Sequence, residues 1–195
     1  MNVGEGKYRT SYEVENELLL IPDDIISKKG DLKQEIFGKQ INIDNMYLND
    51  TVILAPTNND VIEMNNNILN ILEGKYHEYL SEDTATDDNG ENLDIMLPTE
   101  FLNSSTPNGL PRHKLYLKIG ASIILLRNLN LNEGFCNGTR LTVIKLLKYC
   151  IQTKIITGKN IGKIVFIIRI CLSPYKEEVP FNMRRKQFPT RLGFR

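Results

Sequence analysis

The chain of 195 residues has no tryptophan, only two histidines (His77 and His113) and three cysteines (Cys136, Cys150 and Cys171). The cysteines are odd in number and far apart, with no C-x-x-C pair and no Cys/His ligand spacing. That argues against a metal centre and against a disulfide framework. They read as small core residues of a protein kept in a reducing, intracellular compartment. No apolar run approaches the roughly 20 residues of a membrane-spanning helix. The opening MNVGEGKYRT lacks the apolar core of a signal peptide. Also missing is any GxxxxGK(S/T) loop, because VGEGKYR and TGKNIGK hold Gly-Lys pairs without the spacing or the following hydroxyl. NELLLIPDDII ends an apolar run in two acids, as magnesium-holding elements do, but with no phosphate loop that reading fails. Pro22, Asp23 and Asp24 instead predict a helix start, where proline fits the first turn and the dipole favours acids. By itself the chain is not expected to hydrolyse ATP.

Net charge is zero overall, yet the charges are divided. Residues 1–105 carry 7 Lys/Arg against 21 Asp/Glu, a net of −14; residues 106–195 carry 17 against 3, a net of +14. A half this basic attracts polyanions, of which nucleic acid is the usual one. The competing reading is that the two halves neutralise each other within the fold.

The clearest alternation of elements is at residues 51–72. TVILA predicts a buried strand, PTNND a turn, and VIEMNNNILNIL a helix whose apolar stripe is Val61, Met64, Ile68, Ile71 and Leu72. Asp60 with Glu63 three later resembles a capping box, and Asn65 lies near the stripe as a candidate buried hydrogen-bonding residue. Thr57, Asn58 and Asn59 sit where a strand runs through a turn into a helix N-terminus. Such residues either cap the helix or present backbone N–H groups to a phosphate. Residues 81–109 are acidic and rich in turn formers, and predict a long surface connection.

From residue 110 the pattern is β. HKLYLKIGASIILLRNL reads as one strand or a bent pair with Gly120 at the bend. FCNGTRLTVIKLLKY and CIQTKIITGKNIGKIVFIIRICL follow, and short strands at this spacing suggest a small, strongly bent barrel. Asn137-Gly138 predicts a tight hairpin turn. Lys114, Lys118, Arg127, Arg140, Lys145 and Lys148 alternate with apolar residues, which on strands gathers cations on one face. That face is either a solvated surface or a polyanion groove.

Three segments together resemble a known family: VILAPTNNDVIEMNNNIL, PTEFLNSSTPNGLPRHKLYLKIGASIILLRNLNLNEGFCNGTRL and RRKQFPTRLGF. They are similar to the C-terminal motor half of the petite-integration-frequency (PIF) DNA helicases, most of all the branch carried by Helitron transposons. Ile168 departs from the pattern, standing where proline is usual. The resemblance implies an α/β chain: residues 1–108 as part of a RecA-like second motor domain, of the P-loop NTPase type, with an acidic connection. It implies an SH3-like β-barrel inserted at 109–186 and the start of a return strand at 187–195. It implies a fragment of an ATP-dependent 5′-to-3′ helicase that translocates on single-stranded DNA and unwinds duplex in DNA repair, recombination, telomere maintenance or Helitron transposition, in the nucleus or also in mitochondria. ATP and Mg2+ would be held in the full-length parent, with the N-terminal RecA-like motor as partner, and not by this fragment. The DNA-contact residues it implies are Thr57, Asn58, Asn59, Lys118, Asn137, Gly138 and Arg140. The rival expectation is a stand-alone or relic nucleic-acid-binding module without enzymatic activity.

Overall fold

An Asn-rich sequence makes a helix after Thr57 because its first turn is capped from both directions. The computed structural model describes residue 26 and residues 55–194, apart from 88, 91–92, 94–95 and 175–178. The chain divides into two units, Met1–Gly38 and Lys39–Arg195, and every element below belongs to the second. The expected helix start at Pro22–Asp24 and residues 51–54 of the expected TVILA strand lie outside the described residues.

Helix α1 spans Asn58–Ile71. Its N-cap is Thr57, whose hydroxyl accepts from the Asp60 N–H at 3.2 Å while the Asp60 carboxylate accepts from the Thr57 N–H, also at 3.2 Å. The capping box is therefore Thr57–Asp60, three residues upstream of the expected Asp60–Glu63, with the threonine that the capping-box pattern asks for at its N-cap. The buried stripe also differs from the expected one. Asn65, Ile68, Leu69 and Leu72 face inward at i, i+3, i+4 and i+7, and Val61 is exposed. Asn65 is on that stripe, its carboxamide oxygen accepting from the Phe194 N–H at 2.8 Å.

Strand β1 (His77–Leu80) pairs antiparallel with β3 (Lys114–Leu117). Between β1 and β3 lies the segment expected to be a surface connection, and that expectation is corrected. It contains β2 (Glu82–Thr86) and a short helix α2 (Thr99–Ser104). Ala85 and Leu102 bury with Met183 in one apolar cluster, against which Leu97, Leu110 and Phe181 pack. The acids did not make a free linker because their partners are cations 100 residues on. β2 pairs with β9 (Asn182–Gln187) so that Glu82 faces Lys186 and Asp83 faces Arg185.

The remaining strands are β4 (Ser122–Leu125), β5 (Arg140–Leu146), β6 (Cys150–Ile155), β7 (Ile164–Ile168), β8 (Ile170–Leu172) and β10 (Thr190–Leu192). Gly120, at φ +85°, breaks β3 from β4, so the bent pair is what forms. β10, β4, β5, β6 and β7 pair in that order, and β8 pairs with β9. Only Arg169 separates β7 from β8, and only Phe188 and Pro189 separate β9 from β10. The ladder therefore runs β4, β5, β6, β7 into β8, β9 into β10, and back to β4, a closed ring. A bulge between Val143 and Lys145 bends β5 within it, as tight closure requires. Ile123, Leu125, Leu141, Val143, Ile151, Ile155, Val165 and Ile167 fill the inside. Arg169 sits at the corner, donating to the Leu80 carbonyl at 2.6 Å over the Phe188 ring.

Candidate nucleic-acid interface

At the start of α1 the cap consumes much of what a phosphate would use. The Thr57 hydroxyl donates to Asp60 Oδ2 at 2.7 Å, and the Asp60 carboxylate already sits against the positive end of the helix dipole. Asn58 and Asn59 are exposed beside it. An anion here would share the N-terminus with a carboxylate, and the side chains of Asn58 and Asn59 are the groups free to reach it.

Lys118 lies at the other end of the same helix. Its ammonium is buried and donates to the Leu72 carbonyl at 2.6 Å and the Asn70 carbonyl at 3.3 Å, with the Tyr76 ring 4.3 Å away. It closes the C-terminus of α1, where a cation meets the dipole's negative end. Desolvation holds its pKa below the ordinary lysine value. A rise of 1.5 Å per residue from Asn58 to Asn70 puts about 18 Å between the two ends.

The third group of expected contacts is the turn before β5. Thr139 N–H donates to the Cys136 carbonyl at 3.0 Å, with Gly138 at φ +86° between them. This is a turn but not a tight hairpin: residues 126–139 join β4 to β5, including a single 3₁₀ turn at Leu131–Glu133. The Asn137 N–H donates to Asn128 Oδ1 and the Gly138 N–H to the Leu125 carbonyl, both at 2.8 Å. The turn thus offers no open nest of N–H groups. It presents the Asn137 side chain and the bare face of Gly138, where an added Cβ would meet nothing within 4 Å. Arg140, next along, is buried at 7% exposure on β5 across from Ile124. The seven expected contacts are therefore distributed over both ends of α1 and one end of the β4–β5 ladder.

Nor do the basic-half cations share one face. Arg185 is fully buried with Asp83, its Nη2 2.7 Å from Oδ2. Lys186 pairs with Glu82 at 3.0 Å and Lys163 with Glu133 at 2.8 Å. Arg127 donates to the carbonyls of Leu126 and Ser173. Neutralisation between the halves thus accounts for two of these residues, and backbone carbonyls for others.

What does gather, on the outer face of β5–β6–β7, is a patch that holds the expected Lys145 and Lys148 together with Lys154 and the unexpected aromatic Phe166 and Tyr149. No acid occurs between Glu133 and Glu177. The register sets Thr142, Lys154 and Ile164 in one outward row and Lys145, Gln152 and Phe166 in the next, with Cys150 beside Ile168 beyond them. Ile164, Phe166 and Ile168 are 52%, 57% and 58% exposed. At the β5–β6 hairpin Tyr149 is 71% exposed with the Lys148 ammonium 5.0 Å from its ring. IVFII is apolar at every position, so periodicity alone reads it as buried on both faces. Only the exposures in the fold reveal the open side.

Residues 100–146 match the family model described as DNA helicase Pif1, 2B domain. Among solved structures, the Pif1 helicase from Candida albicans is similar at TM-score 0.50 and 22% identity, over 72% of this chain and 34% of that one. A Pif1 chain from a study of unwinding at forked dsDNA by two coordinating Pif1 helicases is similar at TM-score 0.50 and 19% identity, over 74% and 28%. Unliganded Pif1 from Bacteroides sp aligns at TM-score 0.49 and 23% identity, over 71% and 38%. Among curated proteins no sequence matches. The chain therefore spans about a third of the length of these solved relatives. Its mixed α/β fold is that of the Pif1 structures, and the expected resemblance to the PIF helicases is met at residues 100–146, which match the 2B model.

Proposed function

We propose that this chain is a DNA-engaging portion of a larger ATP-dependent DNA helicase of the PIF type, in the Helitron-borne branch. In this reading the closed ring is an SH3-like barrel inserted into a RecA-like second motor, and α1 belongs to that motor. The observation that supports it best is a coincidence on one stretch: residues 100–146 match the 2B model and also supply β4 and β5 of the closed ring, in which residues 134–174 hold no acid.

The parent would translocate 5′ to 3′ on single-stranded DNA in the nucleus and unwind duplex, with ATP and Mg2+ bound elsewhere. The residues present here do not fit that cofactor. GxxxxGK(S/T) is absent from the sequence, and among the described residues no three His, Cys, Asp or Glu converge on a metal position. The N-terminal RecA-like motor would supply that chemistry. What this chain contributes is grip and orientation. Asn58, Asn59 and Asn137 offer exposed carboxamides to the strand, and Gly138 lets the backbone come close. Thr57 and Lys118 hold α1 in position for them by closing its two ends, and Arg140 is buried on β5.

A stand-alone or relic binding module is the second reading, favoured by how completely β2 is built into β9 through Glu82–Lys186 and Asp83–Arg185. The acidic stretch is structural there and not a detachable cover. The two readings separate on the parent reading frame. Expressed whole, a helicase parent hydrolyses ATP faster with single-stranded DNA and opens a duplex only from a 5′ overhang. A parent frame lacking the phosphate loop, or one with no strand-stimulated turnover, would leave only the binding module.

A further inference from the structure

The outer face of β5–β6–β7 is apolar and aromatic at its centre and cationic at its margins, and nothing in the expected site uses it. Phe166 projects from β7 between Ile164 and Ile168. Two inter-strand spacings of about 4.8 Å set Lys145 roughly 10 Å away across Gln152. Lys154 stands beside Ile164, and Lys148 with Tyr149 marks the hairpin end of the same strands. Lys145, Lys148 and Lys154 make no ion pair among the described residues, and the sequence supplies no acid from 134 to 174 to neutralise them. An exposed ring flanked by unneutralised lysines suits a ligand that is flat, apolar on its faces and charged along its edge. We infer that this face binds single-stranded nucleic acid, one base stacking on Phe166 and a neighbour on Tyr149, with Lys145 and Lys154 on the flanking phosphates. The inference rests on the nucleic-acid-binding reading above and adds to it a second contact surface, where bases and not only phosphates are gripped. A protein partner would also cover the isoleucines, but a surface of one charge sign favours the polyanion.

The test uses the 195-residue chain and two fluorescent probes of equal length, dT15 and an abasic 15-mer carrying the same phosphates. Phe166→Ser should weaken dT15 binding about ten-fold, a loss within the range of one stacked base, and leave the abasic probe unchanged. Lys145→Gln and Lys154→Gln should weaken both probes, each reducing the salt slope by about 0.7. Because the natural sequence has no tryptophan, Phe166→Trp creates a single reporter whose emission dT15 should quench while affinity is retained. A salt-dependent wild-type affinity that Phe166→Ser does not change, with no quenching, overturns the stacking face but leaves DNA binding intact. Absence of any dT15 binding overturns both. A shift from dimer to monomer in sedimentation on Phe166→Ser, with unchanged dT15 affinity, would assign the face to a second copy of the chain and also overturn the inference.

Discussion

Arg185→Met is the substitution whose cost the structure specifies best. Asp83 and Arg185 both have fully buried side chains. The guanidinium donates from Nε to Asp83 Oδ1 at 2.9 Å and from Nη2 to Oδ2 at 2.7 Å. It also donates to the Pro111 carbonyl at 3.0 Å and the Leu102 carbonyl at 2.8 Å, and so ties α2 and the approach to β3 onto β9. Asp83 accepts one further bond, from the Ser81 hydroxyl at 2.7 Å. Methionine restores most of the volume but leaves the buried carboxylate with one hydrogen-bond donor, the Ser81 hydroxyl, removes the guanidinium from the Pro111 carbonyl, and leaves the Leu102 carbonyl only the Ser105 N–H. Breaking such a pair costs about 3–5 kcal/mol, and for a chain of this size each kcal/mol lowers Tm by about 2–4 °C. Thermal unfolding followed by circular dichroism should fall by roughly 6–20 °C. Asp83→Leu combined with Arg185→Met removes the stranded charge and should recover at least about 2 kcal/mol of the single-variant loss, because an apolar pair often replaces an ion pair nearly neutrally. The adjacent pair is a control: with Lys186 and Glu82 side chains 48% and 68% exposed, Lys186→Met should cost no more than about 1 kcal/mol. An Arg185→Met loss as small as that of Lys186→Met, or strict additivity in the double variant, would refute the assignment of this pair as the lock between the acidic segment and β9.

Three further outcomes follow from individual contacts. Asn65→Leu strands the Phe194 N–H inside the protein and should lower urea-measured stability by about 1–3 kcal/mol, although leucine is the better helix former. Tyr79 donates its hydroxyl to the Leu147 carbonyl at 2.9 Å, and burial, opposed by Arg169, raises its pKa above 10.0. A raised folded-state value means stability from Tyr79 is complete below the unfolded pKa and is lost as pH rises through the folded one. Tyr79→Phe should therefore be less stable than wild type at pH 8 and show a shallower decline above pH 10.0. Gly138→Ala meets no neighbour but must hold φ +86°, so it should cost about 1 kcal/mol of stability. If its DNA affinity falls more than the folded fraction does, Gly138 is also a point of close strand approach.

Much of the helix and the strand succession was legible because their signals are local. Gly120 and Gly138 mark φ values that other residues avoid, and the polar turn before α1 announces a helix start. The register of the cap was missed because Asp60 can serve either as N-cap or as third residue, and only the Thr57 backbone distinguishes them. β2 was missed for a different reason. EDTAT carries little hydrophobic signal, and its stability comes from cations on β9 with which it shares no sequence neighbourhood. The charge split that suggested a polyanion groove was partly this pairing seen from afar. Of the cations expected on one face, Lys118 and Arg140 are buried; Lys118 lies just past the end of β3 and closes the C-terminus of α1, a tertiary contact that alternation along a strand does not encode. Phe166 was hidden by the converse: an all-apolar strand conceals its open face.

The most direct measurement is the salt dependence of dT15 affinity for the unaltered chain, from 50 mM to 300 mM KCl at constant pH. If Lys145, Lys148 and Lys154 each neutralise a phosphate, log affinity should fall linearly with log salt at a slope of about −2. A flat line, with binding absent or indifferent to salt, would contradict a nucleic-acid surface on this basic barrel.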